Sequence, residues 1–364
     1  MAAEDFQRLE GVLPAVYARL LPALAASKAP IEAEATCSHC AMCAPADSTA
    51  RGRKYFSPNS KCCTYHPTLP NYLVGALLAD QQAEFEEGRR RIRAVIQHRV
   101  GVTPHGILPP KATSAVYDAV TPGLFGRAES LLCPYFNRGN GSCSIWQFRE
   151  AVCSTFFCKF VHGGDGAEYW HGLKQVLIQA QTGLVQHALH QLGFAAHVIL
   201  AGAEHDPTAE ELDGMPTPDA VHRERFGAWY GQEETFYVAC FRAVEALDPR
   251  QVEALGGIRA SLQMANLAGR RGCLESPELP DPLQRNPCLQ QRREPDGAMT
   301  VVSFSALQPT RLRAEVLELL NHFDGLHPTA EVLATIESAH GYRLSPNLLV
   351  RLHHFRILVS ADSD

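Results

Sequence analysis

Nine of the twelve cysteines in this chain fall between Cys37 and Cys158, and that crowding constrains the fold more than any other feature. They run Cys37-x2-Cys40-x2-Cys43, Cys62-Cys63, Cys133, Cys143, Cys153 and Cys158, while Cys240, Cys273 and Cys288 are scattered through the remainder. Thiolates are soft anionic donors for zinc and iron, and short spacings let one loop place several on one ion. The order therefore predicts a metal centre built by all nine. If both halves of the set share it, the chain between Cys63 and Cys133 must fold back on itself. Adjacent Cys62 and Cys63 diverge in helix and strand alike, so one tetrahedral ion does not easily take both.

The compartment agrees with this reading. Glu4, Asp5 and Glu10 interrupt the N-terminal apolar residues, so a secretory leader is not expected, and a cytoplasmic location is. There, clustered cysteines serve metal or catalysis rather than disulfides. No stretch approaches the roughly 18 consecutive apolar residues of a membrane span. The formal charge of -6 and a pI near 6.2 give no basic footprint for nucleic acid. The single basic run, Arg89-Arg90-Arg91-Ile92-Arg93, lies in a helical stretch and reads as a solvated face.

At 364 residues the chain exceeds the usual span of one domain, about 150 residues. Phe6, Leu9, Leu13, Val16, Tyr17, Leu20 and Leu24 recur at helical spacing, predicting an amphipathic helix within residues 1–30. A cysteine-rich domain follows over 31–170, loop-like at first and helical from Pro70 to Arg99. Helical periodicity dominates 171–272. Five prolines between Leu274 and Asp296 predict a linker at 273–297. A strand from Met299 to Phe304, three helices near Arg311–Phe323, Thr329–His340 and Pro346–His354, and a strand from Phe355 to Ser360 make 298–364 a small winged-helix-like module. The expected class is mainly α with few short strands.

The segments Cys37-Ser-His-Cys-Ala-Met-Cys43, Lys61-Cys-Cys-Thr-Tyr65, Cys133-Pro-Tyr135, Cys143-Ser-Ile-Trp146, Arg149 and Cys153-Ser-Thr-Phe-Phe-Cys158 resemble the YkgJ-like cysteine-cluster proteins. The resemblance covers roughly residues 30 to 170 and implies chelation of zinc or iron. The chain departs from that family where residues 44–61 separate Cys43 from the vicinal pair. Flagellin lysine N-methylases bear a similar cluster, which makes methyl transfer to a protein an alternative, although no Gly-rich S-adenosylmethionine loop is found. Val316–Gly325 with Thr329, Val332, Leu333, Leu349 and Ile357–Val359 resembles the PqqD-like modules that accompany peptide-modifying enzymes. That likeness implies a protein or peptide partner.

Other residues have a possible place beside the thiols. His39 and His66 stand close enough in sequence to replace a ligand, and Arg149 could offset the charge of a four-thiolate site. Tyr55, Phe56, Tyr65, Tyr135, Trp146, Phe148, Phe156 and Phe157 could exclude water, which tunes a cluster's potential. His187 and His190 are three apart without a matching carboxylate, and Gly163-Gly-Asp-Gly166 reads as a turn. Walker, G-x-S-x-G and H-E-x-x-H signatures are missing. The sequence thus predicts an iron–sulfur cluster or iron held by the nine cysteines, for electron transfer or substrate modification. A zinc-stabilised interaction protein is the alternative.

Overall fold

A computed structural model of the chain describes residues 6–35, 37, 39–44, 55–120, 123–201 and 207–361. The architecture is mainly α-helical, with short strands in small antiparallel sheets. At the N-terminus the apolar spacing buries Leu9, Tyr17, Leu20 and Leu24 as expected, but no single helix carries them. Pro14 and Pro22 confine helix to α1 (Ala15–Leu20) and α2 (Pro22–Ala25), because proline lacks the N–H that a continuous helix needs. The strands β1 (Phe6–Arg8) and β2 (Lys28–Pro30) pair antiparallel around them.

The stretch from Pro70 onward is likewise two helices. After β3 (Leu69–Pro70), α3 (Asn71–Ala79) is buried from Asn71 to Leu78 and stops at extended Asp80. Then α4 (Glu86–His98) turns Ile92 and Ile96 inward, and of its arginines Arg90 and Arg93 are exposed as expected while Arg89 is buried. Arg90 and Arg91 pair with Glu87, and Arg93 with Glu234. Strands β4 (Val102–Thr103) and β5 (Gly106–Ile107) complete a three-stranded sheet with β3. Helix α5 (Lys111–Val120), the hairpin β6 (Phe136–Asn137) and β7 (Ser142–Cys143), and α6 (Ala151–Thr155) lead to the long α7 (Gly163–Gln191). The glycine-rich segment is thus the first turn of α7, not a separate turn.

The helical layer continues with α8 (Ala196–Ala201), α9 (Ala209–Leu212), α10 (Asp219–Phe226), α11 (Glu233–Glu245) and α12 (Pro249–Glu275). Asp248 and Gln251 form a capping box that starts α12, with Pro249 in the first turn where its missing N–H costs nothing. Gly75 sets the approach of α3 to α11: a Cβ there would lie 1.8 Å from the Tyr237 carbonyl oxygen. One continuous core joins Leu9, Leu73, Cys133, Tyr135, Trp170, Leu177 and Tyr237. The cysteine-bearing segments therefore have no core separate from the helical layer.

A second core belongs to the C-terminal module, uniting Leu283, Val301, Leu320, Phe323, Ile336, Leu352 and Leu358. Part of the expected linker belongs to this module. Strand β8 (Leu283–Arg285) pairs with β12 (Leu358–Ser360), and β9 (Gln290–Arg293) joins β10 (Met299–Val302) and β11 (Thr310–Leu312) in the order β11-β10-β9. Prolines exclude a helix there without excluding short strands. The expected three helices follow as α13 (Ala314–Leu319), α14 (Thr329–His340) and α15 (Pro346–His354). Among the described residues no helix is long and apolar enough to cross a membrane.

Candidate metal centre

Backbone pairing draws the cysteine segments together. The Cys133 N–H donates to the Cys63 carbonyl at 2.8 Å, which closes the long loop between them, and β6–β7 pairs Phe136 with Cys143. The Cys43 N–H donates to the Cys40 carbonyl at 3.0 Å, and Phe56 N–H to Met42 at 2.8 Å, folding the first loop against the residues that lead to Cys62. Lys61 fastens three segments at once. Its Nζ donates to the Cys37 carbonyl at 2.7 Å and to the Gly141 carbonyl at 2.6 Å.

Cys153 is placed by the cap of α6. Glu150 accepts the Val152 N–H at 2.5 Å and the Cys153 N–H at 2.8 Å, satisfying two donors the helix itself leaves free. Arg149, immediately before it, donates from Nη1 to the Cys153 carbonyl at 3.0 Å and stacks 3.5 Å over the Trp146 ring. Its guanidinium lies within electrostatic reach of Cys37, Cys143 and Cys153.

All nine predicted cysteines gather in one neighbourhood. Cys37, Cys62, Cys63, Cys133, Cys143 and Cys153 line a single cavity of about 1540 Å³. Cys40 and Cys43 are hydrogen-bonded through their side chains, as are Cys62 and Cys63, and Cys158 feels both Cys40 and Cys62. Cys240, Cys273 and Cys288 do not line that cavity. Among the described residues, no three His, Cys, Asp or Glu side chains close around one point. The donors meet as pairs around shared space, not as a finished tetrahedron.

Burial dominates the electrostatics of the thiol-lined wall. Burial pushes Cys133 and Cys158 up to about 12, and burial with Cys40 alongside raises Cys43 to about 11. Cys62 is held well above the ordinary thiol value by its bond to Cys63 and by burial, and Cys153 by burial and by Glu150. Charge is thus unfavourable until a cation arrives, which is the usual coupling between thiolate ligation and proton release. The thiols are the soft donor type that zinc and iron take, and Arg149 and Lys61 are cations within electrostatic reach of several of them.

The remaining expectations divide. His66 Nε2 donates to the Leu132 carbonyl at 3.0 Å, which ties that nitrogen to backbone next to Cys133. His187 and His190 sit on α7 and do not line the cavity. Phe56, Tyr135 and Phe148 are buried as expected, but Trp146 is 44% and Phe156 39% exposed, so these two stand at the mouth and exclude little water. Lys61 gave no spacing signal, although it directly precedes Cys62. Glu32 also escaped notice: it lines the cavity, accepts from Val161 N–H at 2.6 Å and Trp170 Nε1–H at 2.7 Å, and is raised by burial to about 7.

The far wall of the cavity comes from the C-terminal module, through Gln290–Arg292 of β9, Thr300 and Val302 of β10, and the loop Phe304–Leu307. Neither a protein-family model, nor a curated protein, nor a solved structure matches the chain.

Proposed function

We propose that this chain is a YkgJ-like metal protein in which Cys37, Cys40, Cys43, Cys62, Cys63, Cys133, Cys143, Cys153 and Cys158 hold an iron–sulfur cluster or iron beside a substrate cavity. The supporting observation is the shared cavity: six of the nine thiols face the same space that the C-terminal sheet closes from the other side. A purely structural zinc knot needs no such space, whereas a centre acting on a substrate does. The cavity also exceeds the roughly 300–1,000 Å³ of small-molecule pockets.

When bound, an iron–sulfur centre supplies one-electron chemistry at a potential set by the hydrogen bonds and exposure of its sulfurs. The chain's own residues do the rest. Arg149 and Lys61 offset thiolate charge, Tyr135 and Phe148 keep water from the inner side, and Glu32 can exchange a proton across the cavity. The substrate we propose is a protein or peptide. Strand β9 is the sheet's edge, all four of its residues are exposed, and Gln290, Gln291 and Arg292 face the cavity, an arrangement suited to adding an extended segment.

Anaerobic purification followed by iron, zinc and acid-labile sulfide measurement tests this reading. Iron with stoichiometric sulfide and a bleachable visible band supports it. Colourless protein containing only zinc refutes it in favour of a zinc-stabilised interaction protein.

A further inference from the structure

The C-terminal module carries two imidazoles edge to face at its surface. His322 ends the 3-10 turn Leu320–His322 and His340 ends α14, while Leu320 and Ile336 of the same two elements are fully buried together. The backbone beneath each ring is therefore fixed. Nε2 of His322 and Nε2 of His340 stand 3.1 Å apart, with ring centroids at 5.2 Å and an angle of 65° between the rings.

That geometry matches two nitrogens on one ion. At a zinc–nitrogen distance of about 2.0–2.1 Å, two imidazole nitrogens lie about 2.9 Å apart for a right-angled pair and about 3.4 Å apart for a tetrahedral pair, with ring centres roughly 5 Å apart. We propose that His322 and His340 form a second, surface metal site for a borderline divalent ion such as Zn²⁺, Ni²⁺ or Cu²⁺, which staples the end of α14 to the 3-10 turn. Imidazole favours these ions over Mg²⁺ or Ca²⁺, which prefer oxygen. Among the described residues no third His, Cys, Asp or Glu joins the pair, so water fills the remaining positions and the ion exchanges with solvent. Nearby Asp324 is engaged by His327 Nδ1 at 2.9 Å and by the Leu326 N–H at 2.8 Å.

An N–H···N hydrogen bond between the rings would give the same distance, and zinc titration separates the two. The protein is purified with its cysteine centre as isolated and titrated with Zn²⁺ alongside H322N and H340N. The wild type takes up one more equivalent than either variant, and exchange of the amides in 320–340 slows at least tenfold on zinc addition in the wild type alone. Equal uptake by all three proteins, or no uptake by the wild type beyond its resident metal, overturns the site. As a check that needs no variant, Cu²⁺ added to the wild type gives an electron paramagnetic resonance spectrum with coupling to two nitrogens. The accessible thiols are alkylated first, since they capture or reduce Cu²⁺, and a spectrum without nitrogen coupling then also overturns the site. The difference in zinc uptake between the wild type and the variants does not depend on what the cysteines hold.

Discussion

Gln308 and Phe160 exchange two hydrogen bonds across the join between the C-terminal module and the segment that follows Cys158. The Phe160 N–H donates to Gln308 Oε1 at 2.8 Å, and Gln308 Nε2 donates to the Phe160 carbonyl at 2.9 Å. Lys159 Nζ adds a bond to the Leu307 carbonyl at 2.7 Å. The loop of the module thus grips the backbone two residues beyond a proposed ligand. His354 with Asp165 at 2.8 Å, and Arg356 with Glu168, fasten the same module to the first two turns of α7.

Replacing Gln308 with alanine leaves the part-buried Phe160 N–H without a partner, at about 1–3 kcal/mol, while the Phe160 carbonyl keeps its bond from the Gly163 N–H at 3.1 Å. We expect a loss of about 1–3 kcal/mol in urea unfolding, and faster release of metal to a chelator. Unchanged release with reduced stability would show that the grip serves folding only.

Gly75→Ala forces a methyl into the Tyr237 carbonyl, where the α3 and α11 backbones leave no flexible side chain to move. Overpacking of this kind costs at least about 3 kcal/mol. Thermal unfolding should show a large drop or no folded protein. A melting temperature equal to that of the wild type would contradict the close packing of these helices.

Glu32 makes stability depend on pH in a stated direction. Burial raises its folded pKa from 4.5 to about 7, so the folded chain holds the proton more tightly than the unfolded chain. Its contribution is fully present below about pH 4.5 and is lost as pH rises through about 7, on the order of 3 kcal/mol in all. Unfolding free energies measured across that window should fall more steeply for the wild type than for Glu32→Gln. Parallel curves would mean that Glu32 stays ionised in the fold.

Two cysteine variants separate ligation from packing. Cys133→Ser should abolish or sharply reduce bound metal, whereas Cys240→Ala, buried in α11 away from the cavity, should keep full metal content and cost about 1 kcal/mol in stability. Equal metal loss in both would point to general unfolding instead of ligand removal.

The closeness of Cys37, Cys40, Cys43, Cys62 and Cys63 was readable from their local spacings, and the helical class because apolar periodicity survives along α7 and α11. The broken N-terminal helix was readable too, had Pro14 and Pro22 been weighed against the apolar spacing. The cavity was not readable. It requires the loop Phe304–Leu307 to meet residues near Cys158, a contact across 148 residues that no periodicity encodes. Glu32 was hidden for the same reason: a glutamate after β2 looks like surface until Trp170 and Val161 close over it. Strands β8 and β9 are too short to stand out among the prolines that flank them.

X-ray absorption at the metal edge of anaerobically purified protein tests the central claim most directly, since it reads which donor atoms surround the metal. The nine-cysteine centre predicts a shell of sulfur at about 2.3 Å from the metal, diminished in Cys133→Ser. A shell of nitrogen and oxygen, or a sulfur shell unaltered by that substitution, would contradict it.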